Sequence, residues 1–262
     1  MIMCEDLEKE YVKLMQEYRQ KVTDKMSPEE LMTYNEVLFS AHSCGIEGNS
    51  YSVSDTRALK ELGLGVVPQG KPLVETMEML DHFHAFEQMA QTQQEPLTED
   101  YLLRLHKTLT EHTIAYRHPG AKPGEYTTMD MAAGDTLFGD HEELIRKVPA
   151  LLEKTEQALK GDLPRMFVAA TFHGYFIYLH PFRDGNGRLG RLLSNKILLQ
   201  SGHPIVIIPR EAKDDYIRAL KLFHSDSIEY LVAFFYKTAI RRMQNELKQK
   251  DANSARTLNI LF

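Results

Sequence analysis

The stretch "PRMFVAATFHGYFIYL", Pro164 to Leu179, carries apolar side chains on nearly every face that a helix could present. Such a segment is too apolar for a protein surface. It predicts a helix over about 164–180 buried in the centre of a bundle, and it obliges the rest of the chain to supply helices around it. The remaining sequence has the periodicity to do so. "MSPEELMTYNEVLFSAHSC" opens with Ser27 as N-cap, Pro28 at N1 and Glu30 at N3, then sets Leu31, Tyr34, Leu38 and Ala41 along one face. Further helices are predicted over roughly 54–62, 72–92, 98–112, 141–159, 188–200, 213–224 and 227–249. One segment departs from the pattern. "KPGEYTTMDMAAGDTLFGD", residues 122–140, is too rich in Thr, Gly and Asp for a helix, and it predicts a small β-hairpin turning at Gly134–Asp135. The expected fold class is mainly α.

Composition removes several functions. A chain of 262 residues with 43% hydrophobic content can bury a substantial core. The net charge of −6, with no basic run longer than "IRRMQNELKQK", argues against nucleic acid as a partner. Cys4 and Cys44 match neither a disulfide framework nor a zinc spacing, which suits a reducing, cytoplasmic location. The opening "MIMCEDLEKEYVKLMQEYRQ" mixes charges into its apolar positions. It is expected to be neither a signal peptide nor a membrane span, and no other segment is apolar and long enough to bring in a membrane.

The buried helix ends in "HPFRDGNGRLGR", His180 to Arg191. Pro181 stops it, Asp184 to Gly187 make a tight turn, and Leu189, Leu192, Leu193 and Ile197 restart a helix from Arg188. Glycines at 185 and 187 with φ > 0 would let backbone N–H groups converge where that next helix presents its positive end, a nest suited to phosphate. Arg188, Arg191 and Asn195 share a stripe, so two guanidinium forks can face anionic oxygens, which implies more than one phosphate. Asp184 is a hard carboxylate of the kind Mg2+ takes alongside substrate phosphates. His180 sits at the rim, placed to accept a proton from an incoming hydroxyl. Each of these alone is ordinary: a Gly-Asn-Gly turn is usually only a turn, and a histidine at a helix end is usually a cap. Together, and with few acids nearby in sequence to pair the arginines, they describe transfer from a nucleoside triphosphate to an alcohol.

The same stretch resembles the Fic family motif, HxFx(D/E)GNGRxxR, at every defined position: His180, Phe182, Asp184, Gly185, Asn186, Gly187, Arg188 and Arg191. The likeness runs over roughly residues 30–240. "LTEDYLLRLHKTL" resembles the helix that opens the family's core, "GEYTTMDM" lies where the family has its target-binding flap, and "RLLSNKILLQSGHPIVII" resembles the segment after the motif. The resemblance implies a Fic-like helical bundle: N-terminal helices over 1–95, a catalytic core over 96–240 and a tail over 241–262. It implies protein AMP transfer, in which AMP moves from ATP to a Ser, Thr or Tyr hydroxyl and pyrophosphate leaves. His180 would be the base, Asp184 the Mg2+ ligand, and Gly185, Asn186 and Gly187 the anion nest. Arg188 would hold the β-phosphate and Arg191 the γ-phosphate, with Tyr216 near the adenine and Phe182 a structural anchor. Tyr126, Thr127 and Thr128 fall on the flap, where the family's frequent arginine after the aromatic is missing. Gly187 argues against the kinase-like relatives, which have lysine there.

"SCGIEGN", Ser43 to Asn49, is similar to the family's inhibitory pattern (S/T)xxxE(G/N), with Ser43, Glu47 and Gly48 in the defined places. By that likeness Glu47 pairs with Arg191 and keeps the γ-phosphate from settling. The target protein stays open, as do self-modification, a homodimer, removal of AMP and transfer of another phosphate-containing group. Two other classes stand beside the transferase: a nucleotide-binding regulator that never turns over, and a metal-dependent phosphohydrolase, which a lone Asp with one His serves poorly.

Overall fold

The computed structural model describes residues 2–68, 70–133, 136–225 and 227–260, so the predicted Gly134–Asp135 turn lies outside them. In chain order the helices are α1 (Ile2–Lys21), α2 (Pro28–Ile46), α3 (Val53–Leu62), α4 (Leu73–Gln91), α5 (Glu99–Thr110) and α6 (Ile114–Arg117). They are followed by α7 (Leu144–Leu159), α8 (Arg165–Leu179), α9 (Asn186–Leu199), α10 (Lys213–His224) and α11 (Ile228–Ile260). The fold is mainly α, as the periodicity predicts. At the head of α2 the Ser27 hydroxyl accepts from the Glu30 amide at 3.1 Å while the Glu30 carboxylate accepts from the Ser27 amide at 2.7 Å. Those two bonds satisfy donors that the first helical turn leaves free. Neither α1 nor the single-turn α6 is singled out by the periodicity. α9 begins two residues before its predicted start, because the turn preceding it is already helical at Asn186.

α8 lies at the centre, against α7, α9, α10 and α11. Met166, Ala169, Phe172 and Phe176 are fully enclosed, each large side chain contributing about 1.5–3 kcal/mol by leaving water. It is not buried all round: Tyr175 and Tyr178 keep one edge exposed. At Gly174 an added Cβ would stand 2.6 Å from the Phe223 ring, so the lack of a side chain there is what lets α10 approach. α11 carries the stripe Leu231, Phe235, Tyr236, Ala239, Ile240 and Met243 into the core and receives α1 through Tyr11 and Tyr18. A smaller cluster of Cys44, Tyr51, Leu59, Met79 and Phe83 joins α2, α3 and α4.

The hairpin is shorter than residues 122–140. Among the described residues only β1 (Ala132–Ala133) and β2 (Thr136–Leu137) pair, with Ala132 opposite Leu137 and Ala133 opposite Thr136. The segment before them is tied to the bundle instead of to a partner strand: the Thr127 amide donates to Pro181 O at 2.8 Å. Beyond the pair, the Gly139 amide donates to Tyr178 O at 2.9 Å. No helix among the described residues is long and apolar enough to cross a membrane.

Candidate active site

The site forms where α8 ends and α9 begins. His180 caps α8 with φ 47° and ψ 55°, the one non-glycine residue among those described with positive φ. A bulky side chain rarely adopts that backbone, and such conformations concentrate where function demands them. Its amide still donates to Phe176 O at 3.0 Å, and its ring stacks on Phe138 with centroids 3.8 Å apart. Nδ1 lies 3.4 Å from Ile177 O, which can only accept, so Nδ1 carries the proton and Nε2 is left as the basic nitrogen. Burial lowers the imidazole to about 4, with smaller upward pulls from the Ile177 carbonyl, Glu47 and Asp184.

Below it the loop is braced from within. The Phe182 amide donates to Asn186 Oδ1 at 2.9 Å, and Asn186 Nδ2 donates to Phe182 O at 2.7 Å. Both ends of the Asn186 amide are thus spent on the loop backbone, so what Asn186 can offer an anion is its backbone N–H. Phe182 is buried and stacks on His106 of α5 at 3.6 Å, which makes it the anchor expected of it.

Gly185 has φ 82°, the left-handed value that the nest requires. Gly187 does not. It lies inside the first turn of α9, and a Cβ there would fall on the Glu47 carboxylate and stand 3.1 Å from Arg191 Nη1. The glycine is needed for the space above it and not for its own dihedral angle.

The sequence shows few acids near the arginines, but the fold brings them from a distance. Arg188, its side chain 1% exposed, donates to Glu78 of α4 through Nη1 and to Asp184 Oδ1 at 3.0 Å through Nη2. Arg117 of α6 reaches the same Glu78 oxygen at 2.8 Å. Arg191 donates from Nε to Ser43 Oγ at 3.0 Å, and from Nη2 to Ser43 O at 2.8 Å and Glu47 Oε1 at 2.7 Å. Ser43 and Glu47, 148 and 144 residues away in sequence, thus meet the second arginine of the motif. The Arg191 side chain is 3% exposed and that of Glu47 36%, so the carboxylate stands at the rim of the cradle. Burial alone would raise the Glu47 carboxyl, but Arg191 outweighs it and holds the group below the ordinary range. Gly48, at φ 103°, ends α2 as a helix-terminating glycine. Arg191 Nη1 and Arg188 Nε are buried with no hydrogen-bond partner, a costly state for a guanidinium donor.

Asp184 is held low as well: burial pushes it up, and Arg188, the Gly185 amide and Arg117 together bring it down. Its Oδ1 accepts from the Gly185 amide at 2.6 Å, while Oδ2 has only looser contacts, 3.6 Å to Arg117 Nη1 and 3.9 Å to His118 Nε2.

Tyr216 is buried, with its hydroxyl 2.7 Å from His173 Nε2 and its ring 5.9 Å from the Arg191 guanidinium. Tyr126 gives its hydroxyl to Glu99 at 2.8 Å and tilts against Phe182, Thr127 is buried on the motif loop, and Thr128 is exposed. Asn195 is no part of the site: its amide braces Val206, with bonds of 2.9 and 2.7 Å.

Glu78, His106 and His173 escape the sequence reading. A faint signal for Glu78 exists: it shares the buried face of α4 with Asp81, His82, Ala85, Phe86 and Met89, and polar residues on an apolar stripe call for partners.

Residues 96–198 match the Fic/DOC family. The chain carries a Fic domain. Over 200 residues it is 33% identical to the protein adenylyltransferase Fic of Nematostella vectensis, an alignment covering 74% of this chain and 44% of that protein. The chain therefore spans less than half the length of that curated relative. The solved structures it resembles include a Fic domain containing signaling protein from Bacteroides thetaiotaomicron, with TM-score 0.75, 25% identity, and 95% of this chain and 97% of that one covered. Fic-1 of C. elegans superposes with TM-score 0.78 at 24% identity, covering 96% of this chain and 74% of that one. The likeness thus extends well beyond the matched Fic segment and takes in the N-terminal helices that carry Ser43 and Glu47.

Proposed function

We propose that this Fic domain is a self-restrained protein AMP transferase, moving AMP from ATP to a Ser, Thr or Tyr hydroxyl of a target protein or of the chain itself. The observation that carries the reading is the cradle over Gly187. The buried Arg191 guanidinium and the Glu47 carboxylate border the point where a Cβ on Gly187 would fall, Arg191 and Arg188 each keep a buried donor without a partner, and the basic nitrogen of His180 stands at the same helix junction. The name of the Nematostella relative supports the activity.

In this reading the phosphates lie on the amides at the start of α9, with Arg188 and Arg191 on the two outer phosphate groups. His180 Nε2 takes the proton of the target hydroxyl as its oxygen attacks the α-phosphorus; the bond to pyrophosphate breaks and its charge goes to the arginines. Bound phosphates would also raise the His180 imidazole from its low value, bringing it closer to a useful base. Asp184 suits Mg2+, since the carboxylate is ionised and its Oδ2 only loosely engaged. Arg117 and Arg188 beside it would repel a bare dication, so the ion fits there when it arrives on the nucleotide, where it supplies charge neutralisation. Tyr216 backs Arg191 near the adenine side. A target segment would add to the hairpin edge, a mode that uses backbone hydrogen bonds and little side-chain code.

Glu47 is the restraint, because its carboxylate occupies a donor of Arg191 that the γ-phosphate needs. The free thiols of Cys4 and Cys44 suit a cytoplasmic setting. Incubating the protein and a Glu47→Gly variant with α-labelled ATP and Mg2+ tests the reading. Label retained on protein supports it; bound but unchanged ATP points to a regulator, and free nucleotide products to a hydrolase.

A further inference from the structure

We propose that His106 is a positioning residue that sets the direction of the anion nest and ties it to the root of the flap. It extends the reading of the site as a nucleotide cradle. His106 is completely buried on α5, directly under the motif loop, and its two nitrogens serve two different segments. The Gly124 amide donates to Nδ1 at 2.9 Å, and Nε2 lies 3.0 Å from Asp184 O. An amide N–H can only donate and a carbonyl can only accept. Nδ1 is therefore bare and Nε2 carries the proton, so a single neutral tautomer satisfies both neighbours.

The bond to Asp184 O bears on the nest through the planarity of one peptide. Asp184 O belongs to the peptide whose N–H is that of Gly185, and in a trans peptide the carbonyl and the N–H point in opposite directions. Drawing the carbonyl down onto His106 turns the Gly185 N–H away from α5, toward the Asp184 carboxylate that it meets at 2.6 Å. At φ 82° Gly185 has an easy alternative in a flipped peptide, and nothing in its own dihedral preferences forbids one. His106 supplies the bias. Thr110, one turn further along α5, closes the floor, since a Cβ on Gly185 would stand 2.9 Å from its methyl group.

The other nitrogen reaches the chain just before Tyr126 and Thr127, at Gly124, whose φ of 79° and 3.0 Å approach of an added Cβ to Leu103 O fix the chain's course over α5. The flap root and the phosphate loop thus share one side chain. The stack of its ring on Phe182 holds the imidazole in the plane that both hydrogen bonds require.

Two substitutions separate this role from simple packing. His106→Phe keeps a ring against Phe182 and removes both hydrogen bonds; His106→Gln returns one donor and one acceptor. Each is made in the Glu47→Gly background and followed by thermal melting, by ATP affinity in calorimetry and by labelling with α-labelled ATP. The expected result is a His106→Phe protein that melts cooperatively but binds ATP about tenfold more weakly, the order of one hydrogen bond to a charged group, here the Gly185 amide's bond that holds the Asp184 carboxylate in place, with His106→Gln recovering a good part of the affinity. A role in packing alone would lower the melting temperature and leave the affinity of the folded fraction unchanged, and that result overturns the proposal. Equal losses in the Phe and Gln variants also overturn it. Failure of the Glu47→Gly parent to bind ATP would sink both this proposal and the nucleotide reading. Binding without labelling would sink the transferase reading while the affinities still judge His106.

Discussion

Removing the Glu47 carboxylate should raise activity, an unusual direction for a point substitution. Arg191 makes three hydrogen bonds, two to Ser43 and one to Glu47, and its Nη1 has no partner. Deleting Glu47 leaves the Ser43 bonds in place, so the guanidinium keeps its position while one more donor turns free toward the cradle. A hydrogen bond to a charged group is worth about 1.5–3 kcal/mol, and each ~1.4 kcal/mol is a factor of ten. If the γ-phosphate must displace Glu47, productive binding should rise roughly ten- to hundredfold in Glu47→Gly. The 36% exposure of the Glu47 side chain favours the lower half of that range, because solvent already screens the pair. The same screening limits the stability cost to about 1–2 kcal/mol, a fall of roughly 2–6 °C in Tm. The assay is incorporation of label from α-labelled ATP per mole of protein, wild type against Glu47→Gly, with melting curves to normalise for folded protein. A folded Glu47→Gly protein that binds ATP and labels no faster than wild type would refute the competition between Glu47 and the γ-phosphate.

Other consequences can be checked in the same preparations. His180→Ala should lose transfer by at least ~10²-fold while ATP affinity holds, since the ring supplies a proton acceptor and no phosphate contact; a variant that labels at the parent rate contradicts the base assignment. Asp184→Asn should shift the Mg2+ titration of activity to higher concentration, and an unchanged midpoint points to another ligand. Gly187→Ala should weaken ATP binding in calorimetry even with Glu47 already replaced by Gly, because its methyl group takes up space 3.1 Å from Arg191 Nη1; unchanged affinity would mean that the phosphates lie elsewhere. Burial holds His106, His173 and His180 at about 4, 3 and 4, below an unfolded value near 6.5. The unfolded chain then binds more protons below pH 6.5, so Tm should fall as the pH drops from about 6.5 toward 4; a Tm constant over that window, once carboxylates are allowed for, contradicts their neutral burial.

Much of the fold is legible in residue order because helix periodicity is local. The capping box at Ser27 and Glu30, the apolar run of α8 and the stop at Pro181 each need only their own neighbours. The motif is legible for the same reason: twelve adjacent residues hold the base, the carboxylate, the nest and both arginines. What is not legible depends on long-range contact. Nothing near Arg188 announces that Glu78, 110 residues earlier, neutralises it, nor does α5 reveal that His106 will meet Asp184 O, 78 residues later. Gly187 looks like a second turn glycine, yet its reason is steric and lies with Glu47. Residues 122–140 read as a hairpin over their whole length because period-two alternation cannot tell strand pairing from an extended segment laid on a helix end, which is what Thr127 does against Pro181.

The central claim is that the α-phosphorus of ATP becomes bonded to a protein hydroxyl at His180. Its most direct test is parallel incubation of Glu47→Gly protein with α-labelled and with γ-labelled ATP, alongside the Glu47→Gly/His180→Ala double variant. The account requires protein-bound label from the α position only, with the γ label leaving as pyrophosphate and the double variant at background. Protein-bound γ label, or α label found solely in free nucleotide, would contradict it.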